Sequence, residues 1–461
     1  MQTIIPTERL EQGRKVADTC VHFGFCTSVC PTYVLDHEEN DSPRGRIALI
    51  KDMLAEGGKP PAATVLHVDR CLSCLSCATT CAAGVDYRSL IDTAREYIEQ
   101  SGVRPLSERL KRKALSYIMT HPRLLSVATR AAHVAGGAAA RLPGTLGTLA
   151  RLSNARAVGA FAARGLGPDE GIRAGSLNAG KVTLLDGCVQ SALGREINDA
   201  ARRLLGRMGI EVVDSGLAGR CCGALDLHLG HRGAAQRHAA RLVDTWHTLL
   251  EQGEIEAIVV TTSGCGSVIR HYSELFQDDP PRRERAARVE QACVDITQFL
   301  NARAQDLPLT SPIPARVAYH DSCSLKHGQK ITREPRAVLG RAGFVVADIA
   351  ENHLCCGSAG TYNILQPEIA ARLGQRKAGN IEAVRPDIIA AGNMGCLVQI
   401  SLYTDIPVAH TVQLLDWAAG GPPPRGMESF TPAAQPADEH AEDPLHNGAA
   451  SAVPETSDLL W

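Results

Sequence analysis

Between residues 180 and 420, short apolar runs rich in β-branched residues alternate with longer stretches whose apolar positions recur every three or four residues. VTLL (182–185), IEVV (210–213) and AIVVTT (257–262) read as strands; NDAARRLLGRM (198–208) and the segment 231–251 read as amphipathic helices. This alternation predicts an α/β unit with a largely parallel sheet. The pattern then recurs. VTLLDGCVQ (182–190) matches VAYHDSCSL (317–325), and LGRMGIEVVD (205–214) matches LGRAGFVVAD (339–348). RCCGA (220–224) matches LCCGS (354–358), and SGCGSVI (263–269) matches MGCLVQI (394–400). The matching stretches mark a duplication with small insertions. Two copies, 180–305 and 306–420, are expected to pack as a pseudo-twofold pair.

Residues 1–100 show helical spacing instead. Ser42 can cap a helix, Pro43 suits its first turn, and Ile47, Leu49, Ile50, Met53 and Leu54 form one apolar stripe. Residues 101–179 read as a basic helical connector. From 101 to 165 there are eleven Arg/Lys (Arg104, Arg109, Lys111, Arg112, Lys113, Arg123, Arg130, Arg141, Arg151, Arg156, Arg164) against one acid, Glu108. Each such residue, taken singly, reads as part of a solvated connecting helix. The segment as a whole reads as a surface for anionic lipid heads or an acidic partner. Residues 421–461 begin GPPPRG, carry seven acids and have no Arg/Lys after Arg425. They read as a disordered tail, in which only Phe430, Leu445, Leu459, Leu460 and Trp461 could dock.

A net charge of −2 gives no global pull toward nucleic acid. The start MQTIIPTERLEQGRK lacks the apolar core and cleavage site of a signal peptide, and the longest apolar run, AAHVAGGAAA (131–140), is too short to span a bilayer. A cytoplasmic location is expected, with peripheral contact at the inner face of the cell membrane as an option. In that setting sixteen cysteines favour metal or redox use over disulfides.

CLSCLSCATTCA (71–82) places Cys71, Cys74, Cys77 and Cys81 at the spacing that wraps a cubane iron–sulfur cluster. CVHFGFCTSVCP (20–31) has the same spacing, but Phe23 stands where the second cysteine belongs. In two-cluster ferredoxins the fourth cysteine of each motif serves the other cluster. Cluster B then takes Cys71, Cys74, Cys77 and Cys30, a complete set for a 4Fe-4S cluster. Cluster A takes Cys20, Cys26 and Cys81. Three thiolates suit a 3Fe-4S cluster, as at the three-iron site of succinate dehydrogenase-like subunits. An incompletely ligated 4Fe-4S cluster is the alternative, with the bulk of Phe23 expected to shield that corner from water. A structural zinc site fits worse, since zinc closes a tetrahedron with four ligands. The expected fold class is α+β: an N-terminal two-cluster ferredoxin-like helical domain followed by a duplicated α/β cysteine-rich (CCG) domain.

The repeats supply a second constellation: Cys188, Cys221, Cys222 and Cys265, then Cys323, Cys355, Cys356 and Cys396. In each copy one cysteine follows a strand, a Cys-Cys-Gly lies in a loop, and the last cysteine opens a helix. Two thiols on a glycine turn suit a metal or a redox pair; duplicated small-residue packing is the plainer reading. Cys293 lies outside the pattern and reads as a buried apolar residue. His22, His320 and His353 read as hydrogen-bonding or structural neighbours of these sites rather than ligands.

With CVHFGFCTSVCPTY, DSPRGRIALIK, HVDRCLSCLSCATTC, YHDSCSLKHGQ, HLCCGSAGTYNILQP and AGNMGC in hand, the chain resembles the iron–sulfur subunits of bacterial glycolate oxidase (glycolate dehydrogenase) from about residue 10 to 420. The resemblance implies a subunit of a complex. Flavin-binding partners oxidise glycolate to glyoxylate, and this chain carries electrons onward to a membrane acceptor or quinone. Related subunits serve lactate utilisation, anaerobic glycerol-3-phosphate dehydrogenase and heterodisulfide reductase, the last of which suggests a redox enzyme acting through its CCG repeats. The family pattern has cysteine at position 23, so Phe23 is a departure. In heterodisulfide reductase-like relatives the CCG domains add a C-x-x-C; here Thr262 and Asn393 occupy its first position. No Gly-rich flavin fingerprint follows a strand, and no acid/base constellation for oxidising a hydroxy acid stands out, which matches a subunit that relays electrons only.

Overall fold

The structure is a computed structural model and describes residues 4–140, 144–155, 158, 180–310 and 313–430. The N-terminal part is helical. Helices Thr7–Asp18, Pro43–Glu56 and Tyr87–Gln100 pack on one another around Ile50, Leu54, Leu90, Ile91 and Ile98. Ser42 caps the middle helix as expected, its Oγ accepting from Gly45 N at 3.0 Å, with Pro43 in the first turn. Ile47, Ile50, Met53 and Leu54 of the expected stripe are buried; Leu49 is half-buried. Each fully buried Leu or Ile contributes about 1.5–3 kcal/mol.

Helices Leu106–Thr120, Pro122–Ala140 and Gly144–Ser153 form the connector. Two of its basic residues are not solvated. Arg104 and Arg112 are buried and donate to Asp69 at 2.6 and 2.8 Å, locking this helix to the N-terminal unit. Arg141, Arg156 and Arg164 lie outside the described residues.

Each repeat then builds a four-stranded, wholly parallel sheet. The first contains β1 (Lys181–Leu184), β2 (Glu211–Val212), β3 (Ala257–Val260) and β4 (Cys293–Asp295), in the order β2-β1-β3-β4. The second contains β5 (Arg316–Tyr319), β6 (Val345–Ala347), β7 (Ile388–Ala391) and β8 (Val408–His410), in the order β6-β5-β7-β8. Registers match across copies: Thr183 faces Ile258, and Ala318 faces Ile389. The last strand of each copy was not read from the sequence, since neither Cys293–Asp295 nor Val408–His410 forms an apolar run like VTLL or AIVV.

The two copies pack reciprocally. Helix Arg195–Arg207 of the first lies on helix Thr411–Ala418 of the second, and Ile296–Ala302 lies on Glu334–Arg341. One core runs through both, from Val182 and Leu204 to Val317, Leu339 and Val412. Arg203 and Arg207 close the seam on the buried carboxylate of Asp416 at 2.6 and 2.5 Å. This is the pseudo-twofold arrangement expected of a duplication. Packing continues past residue 421, where the tail was expected to begin: Met427 is buried, and Phe430 stands edge-on to Trp417 at 5.9 Å. Leu445, Leu459, Leu460 and Trp461 lie outside the described residues, as does the tail from 431. Among the described residues no helix is long and apolar enough to cross a membrane.

Candidate metal centres

The two N-terminal cysteine loops follow helix ends and turn through matching left-handed residues. His22 (φ 56°) and Gly24 (φ 88°) in the first loop correspond to Ser73 (φ 51°) and Leu75 (φ 62°) in the second. Non-glycine residues rarely adopt this conformation, so its recurrence in both loops reflects a shared requirement for aiming successive side chains inward. Phe23 therefore occupies the backbone place that Cys74 holds in the second loop, without disturbing the turn. Its side chain does not cover the site as expected. It is 66% exposed and stacks on Phe25, itself 61% exposed, with ring centroids 6.1 Å apart.

The fold brings distant cysteines together. Cys30 opens helix Pro31–Asp36, and its thiol lies near those of Cys71, Cys74 and Cys77, all buried. Burial, reinforced by neighbouring thiols, pushes Cys74 and Cys77 far above the ordinary thiol range. Cys20, Cys26 and Cys81 are half-buried beside the same core, where the short helices Phe25–Ser28 and Ser76–Thr80 pack together. None of the sixteen cysteines forms a disulfide. Several buried thiols facing one another cannot ionise together without a cation, so this donor set fits thiolate-bound metal.

DSPRGR builds the wall beside the Cys30 and Cys71 thiols, where cluster B is expected. Arg46 is 1% exposed and donates to His67 O at 2.7 Å, to Thr32 Oγ1 at 2.9 Å and to Asp41 Oδ1 at 3.2 Å, with its Nη1 3.8 Å from Cys30 Sγ. Burial alone would lower the guanidinium's pKa, but Cys71, Tyr87, Cys30 and Asp41 outweigh it and raise it. Asp41 also accepts from Arg70 at 2.8 Å and contacts His67 Nδ1 at 2.9 Å. Gly45 is required sterically: a Cβ there would sit 2.0 Å from Glu39 O. Tyr87 Oη (3.7 Å) and Ser73 N (3.4 Å) both point at Cys71 Sγ.

In the repeats the cysteines gather at the carboxyl ends of the strands. Cys188 follows β1, Cys221 and Cys222 follow β2, and Cys265 follows β3; Cys323, Cys355, Cys356 and Cys396 stand likewise after β5, β6 and β7. That crevice is where the strand order reverses, the usual ligand position in open parallel sheets. Neighbouring thiols form a row in each copy: Cys188, Cys221, Cys222, Cys265, and Cys323, Cys355, Cys356, Cys396. Cys323 Sγ and Cys355 Sγ are 3.9 Å apart. Thr262 bonds to Gln190, and Asn393 accepts from Gly395 N at 3.2 Å, so neither position adds a thiol to its row. Cys293 lies in the apolar core as expected, its thiol pushed up to about 12 by burial.

The second repeat also abuts the loop that carries Cys71 and Cys74. Cys74 packs with Leu72, Cys323, Cys355 and Tyr362, and Tyr362 donates to Arg70 O at 3.0 Å. A cavity of about 290 Å³ opens where the three domains meet, lined by Cys71, Ser73, Cys188, Cys265, Cys355 and Cys396. Sequence reasoning quoted DSPRGR but gave Arg46 no role, and it missed Lys377, because a lone basic residue carries no motif signal. It set His320 aside as a neighbour. The structure shows His320 fully buried beside Cys356 and Cys396, with burial pulling its imidazole down to about 3. His22 is exposed and His353 half-buried.

Comparison with known proteins agrees with this layout. A 4Fe-4S dicluster domain matches residues 16–85, and a cysteine-rich domain matches residues 182–270 and 317–401. The glycolate oxidase iron-sulfur subunit of Escherichia coli is 35% identical over 427 residues, covering 91% of this chain and 99% of the relative. A Bacillus subtilis protein named a probable glycolate oxidase iron-sulfur subunit is 29% identical over 90% of this chain and 96% of the relative. Lactate utilization protein A of an Exiguobacterium species is 27% identical over 51% of this chain and 96% of its own length.

Proposed function

The chain belongs to the family of glycolate oxidase iron–sulfur subunits, and from that premise we propose that it relays electrons from a flavin-binding partner, which oxidises glycolate to glyoxylate, toward a membrane acceptor. Glycolate gives up two electrons and two protons in becoming glyoxylate, and bound iron–sulfur clusters supply one-electron carriers for that pair. This chain's residues hold, insulate and bias those carriers. Cys71, Cys74, Cys77 and Cys30 hold a 4Fe-4S cluster, with Arg46 offsetting its negative charge. Cys20, Cys26 and Cys81 hold a 3Fe-4S cluster, since Phe23 offers no ligand and turns outward.

The observation that carries this reading is the graded burial of one continuous series of thiols. The cluster A cysteines are half-buried beside a surface patch of Val21, Phe23 and Phe25, between 57% and 66% exposed. The cluster B cysteines are buried, and Cys74 touches the second repeat's cysteines. An exposed aromatic patch beside one end of a redox series suits docking of a protein partner. For the membrane end, helices Leu106–Thr120 and Pro122–Ala140 leave Leu106, Leu110, Tyr117, Leu124, Val127 and Val134 exposed among basic side chains. Apolar residues flanked by Lys and Arg suit an anionic lipid surface. The test is co-purification with the neighbouring gene products. Glycolate should reduce a dye through the complex and not through this chain alone; dye reduction by the isolated chain would end the relay reading.

A further inference from the structure

We infer that the second cysteine-rich repeat holds a transition-metal centre in which the imidazole of His320 is a ligand beside the thiolates of Cys356 and Cys396, a ligand set the first repeat cannot reproduce. The ligand atoms of these three residues all lie within 4.8 Å of one another, and all three residues are buried. That span is what a single ion with metal–sulfur bonds of about 2.3 Å and metal–nitrogen bonds of about 2.0 Å draws together.

His320 points to a ligand on its own account. It is 1% exposed, and neither ring nitrogen makes a hydrogen bond of ordinary geometry, the amide of Asn352 being the polar side chain that approaches the ring. A buried polar ring without partners is costly unless something else satisfies it. That amide is aimed elsewhere by its two good hydrogen bonds, Nδ2 donating to Tyr319 O at 2.9 Å and Oδ1 accepting from Asp321 N at 3.1 Å, and it could serve one ring nitrogen at most. The position of His320 is fixed by the sheet: its own N–H donates to Ala390 O at 2.8 Å, at the carboxyl end of β5. Lys377 stands beside Cys356 and Cys355, 2% exposed, with Nζ donating to Glu351 O at 2.8 Å. A buried ammonium fixed next to several thiolates offsets the negative charge that a thiolate-rich metal site carries.

The first repeat serves as an internal control. The matched stretches place Leu185 where His320 stands. The Cys-Cys-Gly glycines register the following helices, since Gly223 faces Ala235 and Gly357 faces Ala370. Leu242 therefore stands where Lys377 does. Leu185 and Leu242 are both buried in an apolar cluster with Cys222. Two polar groups thus appear together in one copy and are replaced together by apolar ones in the other, around the same four cysteines. Thiolates with an imidazole select iron or zinc over oxygen-preferring cations.

This inference rests on the repeats' cysteines binding metal, whereas the N-terminal clusters are read by their own paramagnetic signals, so the two readings fail separately. The experiment uses full-length protein purified anaerobically, with metals quantified and the second repeat's metal examined by X-ray absorption if zinc, or by nitrogen hyperfine spectroscopy if iron. Wild type should show a nitrogen ligand. His320→Cys should keep the metal and lose the nitrogen. His320→Leu, which installs the first repeat's residue, should lose that metal while the N-terminal signals persist. A wild-type protein with no nitrogen ligand, or a His320→Cys spectrum identical to wild type, overturns the inference, whether or not His320→Leu folds.

Discussion

Phe23 and Arg46 pull the N-terminal cluster sites in different chemical directions. Phe23 removes a thiolate without altering the loop, as the matched left-handed residues in both loops show. Phe23→Cys should therefore convert the proposed three-iron site to four iron atoms and lower its potential, because a thiolate adds negative charge. Iron analysis and a redox titration followed by paramagnetic resonance check this; unchanged iron content would count against it. Arg46 places a full positive charge beside Cys30 and Cys71. Arg46→Met removes one of the partners of Asp41, which keeps Arg70 and His67, and should cost about 1–3 kcal/mol, while lowering the potential of the proposed cluster B site. Denaturant unfolding and the same titration read the two effects. The sequence made the cysteines plain, because ligand spacing is a short-range property. The guanidinium that faces them was not, since it comes from a helix 25 or more positions away from the second loop.

Helix starts and helix contacts decide how these sites are held. Gly45→Ala would drive a Cβ into Glu39 O, so it should destabilise the N-terminal unit by about 1–3 kcal/mol. A fall in thermal midpoint together with weaker cluster retention is the expected result. His231 joins helix Tyr87–Gln100 to the first repeat, 3.4 Å from both Glu99 and Asp226, and Ser116 of the connector donates to Asp226 at 2.6 Å. Burial opposes a charge on His231, but these two carboxylates outweigh it and raise its pKa from 6.5 to about 9. Its contribution is full below pH 6.5 and is lost as pH rises toward 9. The thermal midpoint should drop across that window, and His231→Gln should flatten the drop. The strands and long helices of the repeats were legible because their periodicities differ so clearly. The burial of Arg104 and Arg112 was not, because charge composition alone cannot show that Asp69 waits across the interface. The remaining exposed apolar and basic face of the connector predicts binding to anionic vesicles that weakens as salt rises.

The molecule as a whole arranges thiols from an exposed edge at Cys20 and Cys26, through a buried group around Cys30 and Cys74, to the rows in two parallel sheets. Under the proposed relay, this arrangement carries electrons between a docked partner and a distant acceptor without contacting the fuel. The duplication was readable from four matched stretches, but the placement of the second repeat against the cluster B loop was not, because that contact joins Cys74 to residues some 250 positions later. The most direct test is to mix the assembled complex anaerobically with glycolate, freeze it within the time of turnover, and record the paramagnetic signals of this chain's clusters. The account predicts that glycolate reduces them in the complex and leaves them oxidised in the isolated chain; glyoxylate formation with clusters that stay oxidised would contradict it.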